Sequence, residues 1–285
     1  MAYTTASDLA AGQKAMVAQA RFTLEHDVVC PKLFTKMTLG KGNKSQYIPK
    51  FGTVTANDLT DGQDMTDAQS LTITGTTHTT DEAGCKVVIT RKLMSQLNDD
   101  AMRAAGKVIG NAMQKKIDQD GLALFSGLDS GVGAAGTTFT IDYLLAAITQ
   151  CYGQSEPVPE PLYTVLHPYV YHQIVNLLAT PGTNNLSPGA FDKSLYGKWR
   201  GNDKLFGVPI FIDGNIIANS ADDSYGAVFS KMAFVYLVGW EPETWMEEDG
   251  SLRGYELGIV ADYGMVEEDG TYGRYLLFDT SAPTS

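Results

Sequence analysis

Four histidines, three cysteines and two acidic triplets are the residues of this chain whose types and spacing could do chemistry. His167 and His172 lie five apart, off the i, i+4 spacing that brings two imidazoles to one metal, and no HExxH surrounds them. They are expected to pack or to cap. Cys30, Cys85 and Cys151 are scattered, odd in number and without a CxxC pair, which excludes a disulfide framework or a structural zinc site. They read as small apolar residues of a reducing compartment. Gly153-Gln154-Ser155-Glu156-Pro157 misses the GxSxG nucleophile elbow at its last glycine, and no GxxxxGK[ST] phosphate loop exists. Gly131, Gly133 and Gly136 match GxGxxG, but they follow a helical pattern and open none, so no dinucleotide site is assigned. Glu247-Glu248-Asp249 and Glu267-Glu268-Asp269 lack the alternating ligand spacing of a calcium loop and are expected to be solvated turns. Trp199, Trp240 and Trp245 stand in separate segments with no basic interleaving, as packing residues do. No catalytic, cofactor-binding or metal-ligating residue is assigned, and the expectation is that the chain is not an enzyme and carries no cofactor.

Composition narrows the alternatives. The chain of 285 residues carries a net charge of −12, against a role in gripping nucleic acid, which needs a concentrated basic surface. That balance is compatible with enclosing nucleic acid without adhering to it. No apolar run approaches the length of a membrane span, and the N-terminus lacks the basic-then-apolar order of a signal peptide.

The elements are organised around one long helix, expected over Leu97–Phe125. Asn98 is placed to cap it, with Asp99 and Asp100 in the first turn and Gly127 just past its end. Ala101, Met102, Ala105, Val108, Ile109, Ala112, Met113, Ile117 and Leu124 recur at helical spacing, and Lys107, Lys115, Lys116 and Asp118 fall mostly outside that stripe. Such a helix runs roughly 40 Å. Before it, residues 1–38 read as an arm with a mild helical face (Leu9, Gln13, Met16, Val17, Ala20, Leu24, Val28) and an apolar anchor at Leu33-Phe34.

Residues 39–70 are the second informative stretch. Tyr47, Pro49 and Phe51 alternate with polar residues, and a long turn-rich loop follows. Its charge is sorted: Lys41, Lys44 and Lys50 lie at the root, and Asp58, Asp61, Asp64 and Asp67 arrive every third residue at the tip. The arrangement suits an arm lying across a neighbouring subunit, where complementary charge sets register and on-rate. Residues 71–92 return to strand, with Asp81-Glu82-Ala83-Gly84 expected as a hairpin turn.

After the helix, SGLDSGVGAAGTT reads as a flexible connector. A mixed α/β region follows: a helix at Ile141–Ile148, the strand LYTVLH, a helix from Pro168, a polar loop over 181–204, and the strand VPIFID. AVFS, AFVYLVG, EPETWMEE, RGYELGIVADYGMVEE and RYLLFD read as strands, with Asp249-Gly250 and Asp269-Gly270 as hairpin turns.

Taken in order, these elements resemble the major capsid proteins of tailed bacteriophages, which share the HK97-type fold. The run CKVVITRKLMSQLNDDAMRAAGKVIGNAMQKKIDQDGLALFSGL resembles that family's peripheral-domain strand and spine helix. YTVLHPYVYHQI and KLFGVPIFID resemble strands and a helix of its axial domain. The resemblance implies an α+β, HK97-like fold. Its parts are an N-terminal arm (1–38), an extended loop (39–72), a peripheral domain with the spine helix (73–136), an axial domain (137–230), and closing strands of the peripheral domain with the C-terminus (231–285). It implies a structural protein that assembles with itself through hexamers and pentamers into an icosahedral shell. That shell would enclose packaged double-stranded DNA without sequence-specific binding and without a membrane.

The implied partners are a separate scaffolding protein and a portal protein at one vertex, and whether a decoration protein clamps the outside is left open by the sequence; the implied location is the virion, after assembly in the host cytoplasm. Because Met1-Ala2 leads directly into the arm, a separate scaffolding protein is expected rather than a cleaved N-terminal extension. Some relatives form a Lys–Asn cross-link through the loop. The tip from Phe51 to Thr72 has no lysine, which argues against one here. Lys41, Lys44, Lys50, Asp58, Asp61, Asp64 and Asp67 are the expected intersubunit contacts. Two alternatives stay open: an encapsulin-type nanocompartment shell, whose extended loop is generally shorter, and a soluble α/β enzyme with a pocket of perturbed titratable groups.

Overall fold

The computed structural model describes residues 28–40, 42–62, 64, 68–96, 100–179 and 204–283. The arm face up to Leu24, the cap at Asn98 with Asp99, Lys41, Asp67, Trp199 and nearly all of the polar loop at 181–204 lie outside the described residues. In chain order the elements begin with α1 (Cys30–Leu33), β1 (Thr35–Thr38), β2 (Ser45–Phe51), β3 (Ile73–Thr79) and β4 (Asp81–Thr90). Next come α2 (Arg91–Gln96), the long α3 (Asp100–Ala123) with a 3-10 turn at Leu124–Gly127, β5 (Gly131–Gly133), α4 (Ile141–Tyr152), β6 (Leu162–Leu166) and α5 (Pro168–Ala179). The chain closes with β7 (Lys204–Leu205), β8 (Val208–Ile212), β9 (Asp223–Ser230), β10 (Phe234–Asp249), β11 (Gly254–Glu267) and β12 (Gly273–Asp279).

The strands form a four-stranded sheet in the order β1-β10-β11-β4, a six-stranded sheet in the order β5-β12-β9-β6-β8-β7, and the isolated ribbon β2-β3. α3 lies on the four-stranded sheet through Ile109, Met113 and Ile117, all buried, against Tyr236, Val238, Ile259 and Ala261. The apolar stripe is narrower than the sequence suggested: Val108 is 53 % exposed, and Ala112 also faces out. α4 and α5 cover the six-stranded sheet through Leu144, Ile148, Val170 and Ile174, packed with Ile210, Val228 and Phe278.

A four-phenylalanine cluster joins the two sheets. Phe34, at the end of α1, stacks on Phe234 with ring centroids 4.8 Å apart, and meets Phe229 edge-on at 5.7 Å. Phe125 lies 5.4 Å from Phe229 and 5.8 Å from Phe234. All four are essentially buried, so the expected anchor at Leu33-Phe34 is present, and it closes on the end of the long helix.

Several local readings are corrected by the strand pairing. Asp81–Gly84 is not a turn: β3 pairs with β2, and β4 begins at Asp81 and runs antiparallel to β11 from the Asp81–Tyr263 pair onward. Asp249-Gly250 does lie in a hairpin, β10 to β11, with Asp249 accepting from the Ser251 and Leu252 amides. Asp269-Gly270 does not. β11 already has β10 and β4 on its two edges, so the chain crosses to the other sheet and β12 pairs with β9 and β5. RYLLFD, grouped by the sequence with the closing strands, therefore lies in the six-stranded sheet.

AFVYLVG and EPETWMEE are one strand, with register shifts on either side of Trp240 next to Pro242, which has no amide to donate. Gly131–Gly133, expected as a flexible connector, is strand β5, parallel to β12. A side chain at Gly131 would collide with the Tyr275 ring and one at Gly133 with Phe278, and Gly133 has φ +95°. These glycines allow close approach rather than slack.

Candidate assembly surfaces

The extended loop stands off the body as the β2-β3 ribbon, continued beyond the strands by Gly52 N–H to Thr72 O (2.8 Å) and by the Gln69 side chain. That amide accepts from Thr55 N–H at 2.8 Å and donates to the Thr55 carbonyl. The ribbon's two faces differ. Ile48 and Lys50 turn toward the body, while Tyr47 and Phe51 face outward with Ile73 paired opposite Phe51, and Val54, Leu59 and Leu71 beyond the strands are also exposed. Phe51 is 59 % exposed and Leu59 69 %. Six large apolar residues left exposed along one loop of a single subunit mark an interaction surface.

Two polar contacts fix the root of this ribbon. Lys50 pairs with Asp269, approaches Glu156 at 3.8 Å, and lies 5.0 Å from the centre of the Tyr272 ring. His78 Nε2 meets Glu268 Oε2 at 2.7 Å and Thr76 Oγ1 at 3.0 Å. The second acidic triplet is thus a clamp, not a solvated turn. Burial opposes the charge of Asp269, but the Lys50 ammonium and the Thr271 hydroxyl and amide outweigh it and hold the carboxyl below its ordinary value. Glu267 behaves oppositely: burial first, then the Asp129 and Asp269 carboxylates, push its pKa up. Its two oxygens border Gly127 and Gly270, where any side chain would collide with them.

The predicted loop charges are not brought together within the subunit. Lys44, Asp58, Asp61 and Asp64 are exposed, and among the described residues none of them ion-pairs with another. Lys50 is the exception to exposure, engaged by Asp269. Lys41 and Asp67 lie outside the described residues.

The other anchor, at the arm, is one that periodicity placed wrongly. Asp118, expected outside the apolar stripe of α3, is fully buried. Its Oδ1 accepts the Val29 and Cys30 amides at 3.0 and 2.9 Å, and its Oδ2 accepts Asn215 Nδ2 at 2.9 Å. Gly121, one turn on, lets Cys30 lie against the helix, since a Cβ there would stand 2.7 Å from Cys30 Cβ. Burial and the Asp118 carboxylate push the Cys30 thiol well up, and burial raises Cys151 to about 11, so neither is a reactive thiol. His167 Nδ1 accepts the Tyr169 amide at 3.2 Å, a capping role at the start of α5.

The arrangement of a long helix on a four-stranded sheet, a six-stranded sheet with two covering helices and a protruding ribbon is the HK97-like fold of phage capsid proteins. The chain superposes on Mycobacterium phage Che8 (TM-score 0.71, 14 % identity, 92 % of this chain and 95 % of that one) and on the capsid structure of cyanophage P-SCSP1u (0.70, 16 %, 93 % and 92 %). It also superposes on the mature capsid of bacteriophage PhiM1 (0.68, 15 %, 92 % and 90 %). None of the curated proteins matches by sequence. A profile of the phage capsid protein family matches residues 74–273, and the chain belongs to that family. It is a major capsid protein of a phage, a structural component of the virion.

Proposed function

We propose that this chain builds the shell of a tailed-phage head. Copies gather as hexamers and pentamers and close into an icosahedral shell around packaged double-stranded DNA. Assembly takes place in the host cytoplasm on a separate scaffolding protein, with a portal protein at one vertex. In this reading residues 1–38 are the arm, 39–72 the extended loop, 73–136 the peripheral domain with its spine helix, 137–230 the axial domain and 231–285 the closing segment.

The observation that carries the proposal is the apolar outer strip of the loop, Tyr47, Phe51, Val54, Leu59, Leu71 and Ile73, which the subunit leaves exposed. Covering it with an adjacent copy removes that surface from water. The root lysines Lys41, Lys44 and Lys50 and the tip aspartates Asp58, Asp61, Asp64 and Asp67 then set register across the contact, with Lys50 also holding the root to its own subunit. The net charge of −12 keeps the wall from binding DNA by counterion release.

Electron microscopy of the chain expressed alone and with scaffolding protein tests the proposal. Rings of five and six or closed shells are expected; a uniform small dimer or tetramer under both conditions overturns it.

A further inference from the structure

Five Asp-Gly steps stand in this chain, beginning at Asp61, Asp120, Asp213, Asp249 and Asp269. At such a step the glycine nitrogen can attack the aspartate side-chain carbon, because glycine has no Cβ to block the approach. The attack needs a carboxyl free to take up a proton, an amide that is not held, and a backbone able to fold back on its own side chain.

Four of the five lack these conditions. Asp120 lies within α3, where the backbone is fixed in the helical conformation; its carboxylate accepts the Tyr263 hydroxyl at 2.7 Å and pairs with Lys116. Asp213 is 1 % exposed, with its Oδ1 accepting the Asn215 amide at 2.8 Å. Asp249 Oδ1 accepts the Ser251 amide and hydroxyl, each at 2.7 Å, and the Leu252 amide at 3.2 Å. Those bonds hold the carboxyl ionised and below its ordinary pKa. Asp269 accepts the Thr271 amide at 3.0 Å and its hydroxyl at 2.6 Å, and pairs with Lys50.

Asp61-Gly62 differs on each count. Both residues are exposed, in the turn at the loop tip, beyond the bridge from Gln69 to Thr55. Among the described residues Asp61 makes no hydrogen bond or ion pair. Gly62 has φ +80°, and nothing stands within 4 Å of where its Cβ would be.

We propose that Asp61-Gly62 is a self-modification site of the free subunit, where aspartate converts to isoaspartate through a cyclic imide. The Gly62 nitrogen bonds to Asp61 Cγ, and the carboxyl hydroxyl leaves as water with the amide proton. Water then adds to one of the two ring carbonyls and breaks its bond to nitrogen. Cleavage at Cγ restores aspartate. Cleavage at the main-chain carbonyl leaves the chain running through the side-chain carbon, with the former main-chain carbonyl as the free carboxylate. The product keeps its charge, but the main chain is one carbon longer, so the even spacing of Asp58, Asp61 and Asp64 is lost. The reaction needs no partner, oxidant or cofactor, and the inference goes beyond the shell reading without resting on it.

The test is to age the unassembled subunit for weeks in mildly acidic buffer at physiological temperature. Isoaspartate is then tagged with labelled methyl groups by an isoaspartyl carboxyl methyltransferase, and the tagged peptides are mapped by mass spectrometry. Asp61 is expected to accumulate isoaspartate about tenfold or more faster than any of the other four, which must open locally before they react. In denaturant, where all five are released, their rates are expected to converge. Asp61→Glu keeps the charge but closes a larger, slower ring, and is expected to remove the main signal from the folded subunit. Absence of isoaspartate at position 61 of the folded subunit, or a larger signal at another Asp-Gly step, overturns the inference. An excess at Asp61 as large in denaturant as in the folded subunit also overturns it, since the selection would then lie in the local sequence and not in the fold.

Discussion

Asp118 Oδ1 accepts the backbone N–H of Cys30 at 2.9 Å, across 88 residues of sequence. A single carboxylate on the long helix thereby ends the arm, orients α1 and, through Asn215, holds the segment after β8. Asp118→Ala leaves three buried donors without an acceptor and is expected to cost about 3–5 kcal/mol. Asp118→Asn keeps an acceptor oxygen and costs less. Urea denaturation of unassembled subunits checks both; equal losses would mean that the charge, not the acceptor, is what matters.

The phenylalanine cluster makes a second prediction. Phe125→Ala removes a fully buried ring touching both Phe229 and Phe234, and is expected to lose about 3–5 kcal/mol. Phe125→Leu should lose appreciably less. Calorimetry of the subunit measures the difference.

Gly106 and Gly110 sit inside α3 with nothing within 4 Å of where a Cβ would stand. Alanine at each is expected to stabilise the isolated subunit by about 0.5–1 kcal/mol. A raised melting temperature combined with failed assembly would show that a neighbour's backbone approaches the helix at these glycines.

The ribbon root has a pH signature. Asp269 has its pKa below the ordinary 3.8, so its contribution is complete above that value and is lost as pH falls through the lowered one. Lys50 has its pKa above the ordinary 10.5, so its contribution is complete below that value and is lost as pH rises through the raised one. Hydrogen exchange over β2 and β3, expressed as a protection factor to remove its intrinsic pH dependence, should therefore stay equally slow between these limits and quicken beyond either. Lys50→Met should quicken it at neutral pH.

Glu267 has the opposite sign. A raised carboxyl pKa stabilises the fold only while the group is protonated, and is lost as pH rises through the folded value. Glu267→Gln is therefore expected to stabilise the subunit at pH 7, by less than about 1 kcal/mol, with the gain shrinking in acid. Melting curves at pH 7 and pH 4 read it directly.

What the sequence revealed depended on whether a signal was local. The long helix was legible because Ile109, Met113 and Ile117 repeat at its own period, and the arm anchor because Leu33-Phe34 is an apolar pair directly after the break at Pro31. Strand partners were not, because pairing is decided by which sheet edges remain free. Asp249-Gly250 and Asp269-Gly270 are the same dipeptide, yet only the first turns a hairpin, since β11 has no edge left for β12. Asp118 looked like any carboxylate on a polar face, because its donors lie on segments far away in the chain. The loop aspartates and root lysines stood out by their spacing; that Lys50 would be claimed by Asp269 required the fold.

The crossing from β9 to β10 and the return from β11 to β12 have a mechanical consequence. The chain passes three times between the two sheets, from β4 to β5 through α3, from β9 to β10 and from β11 to β12, and β9 and β12 are antiparallel neighbours over seven residue pairs, so the last two crossings leave from adjacent places. Two tethers in parallel share a pull that one would bear alone, and they resist twisting where a single tether swivels. Tension reaching one sheet enters the other through these links and through the phenylalanine cluster beside them.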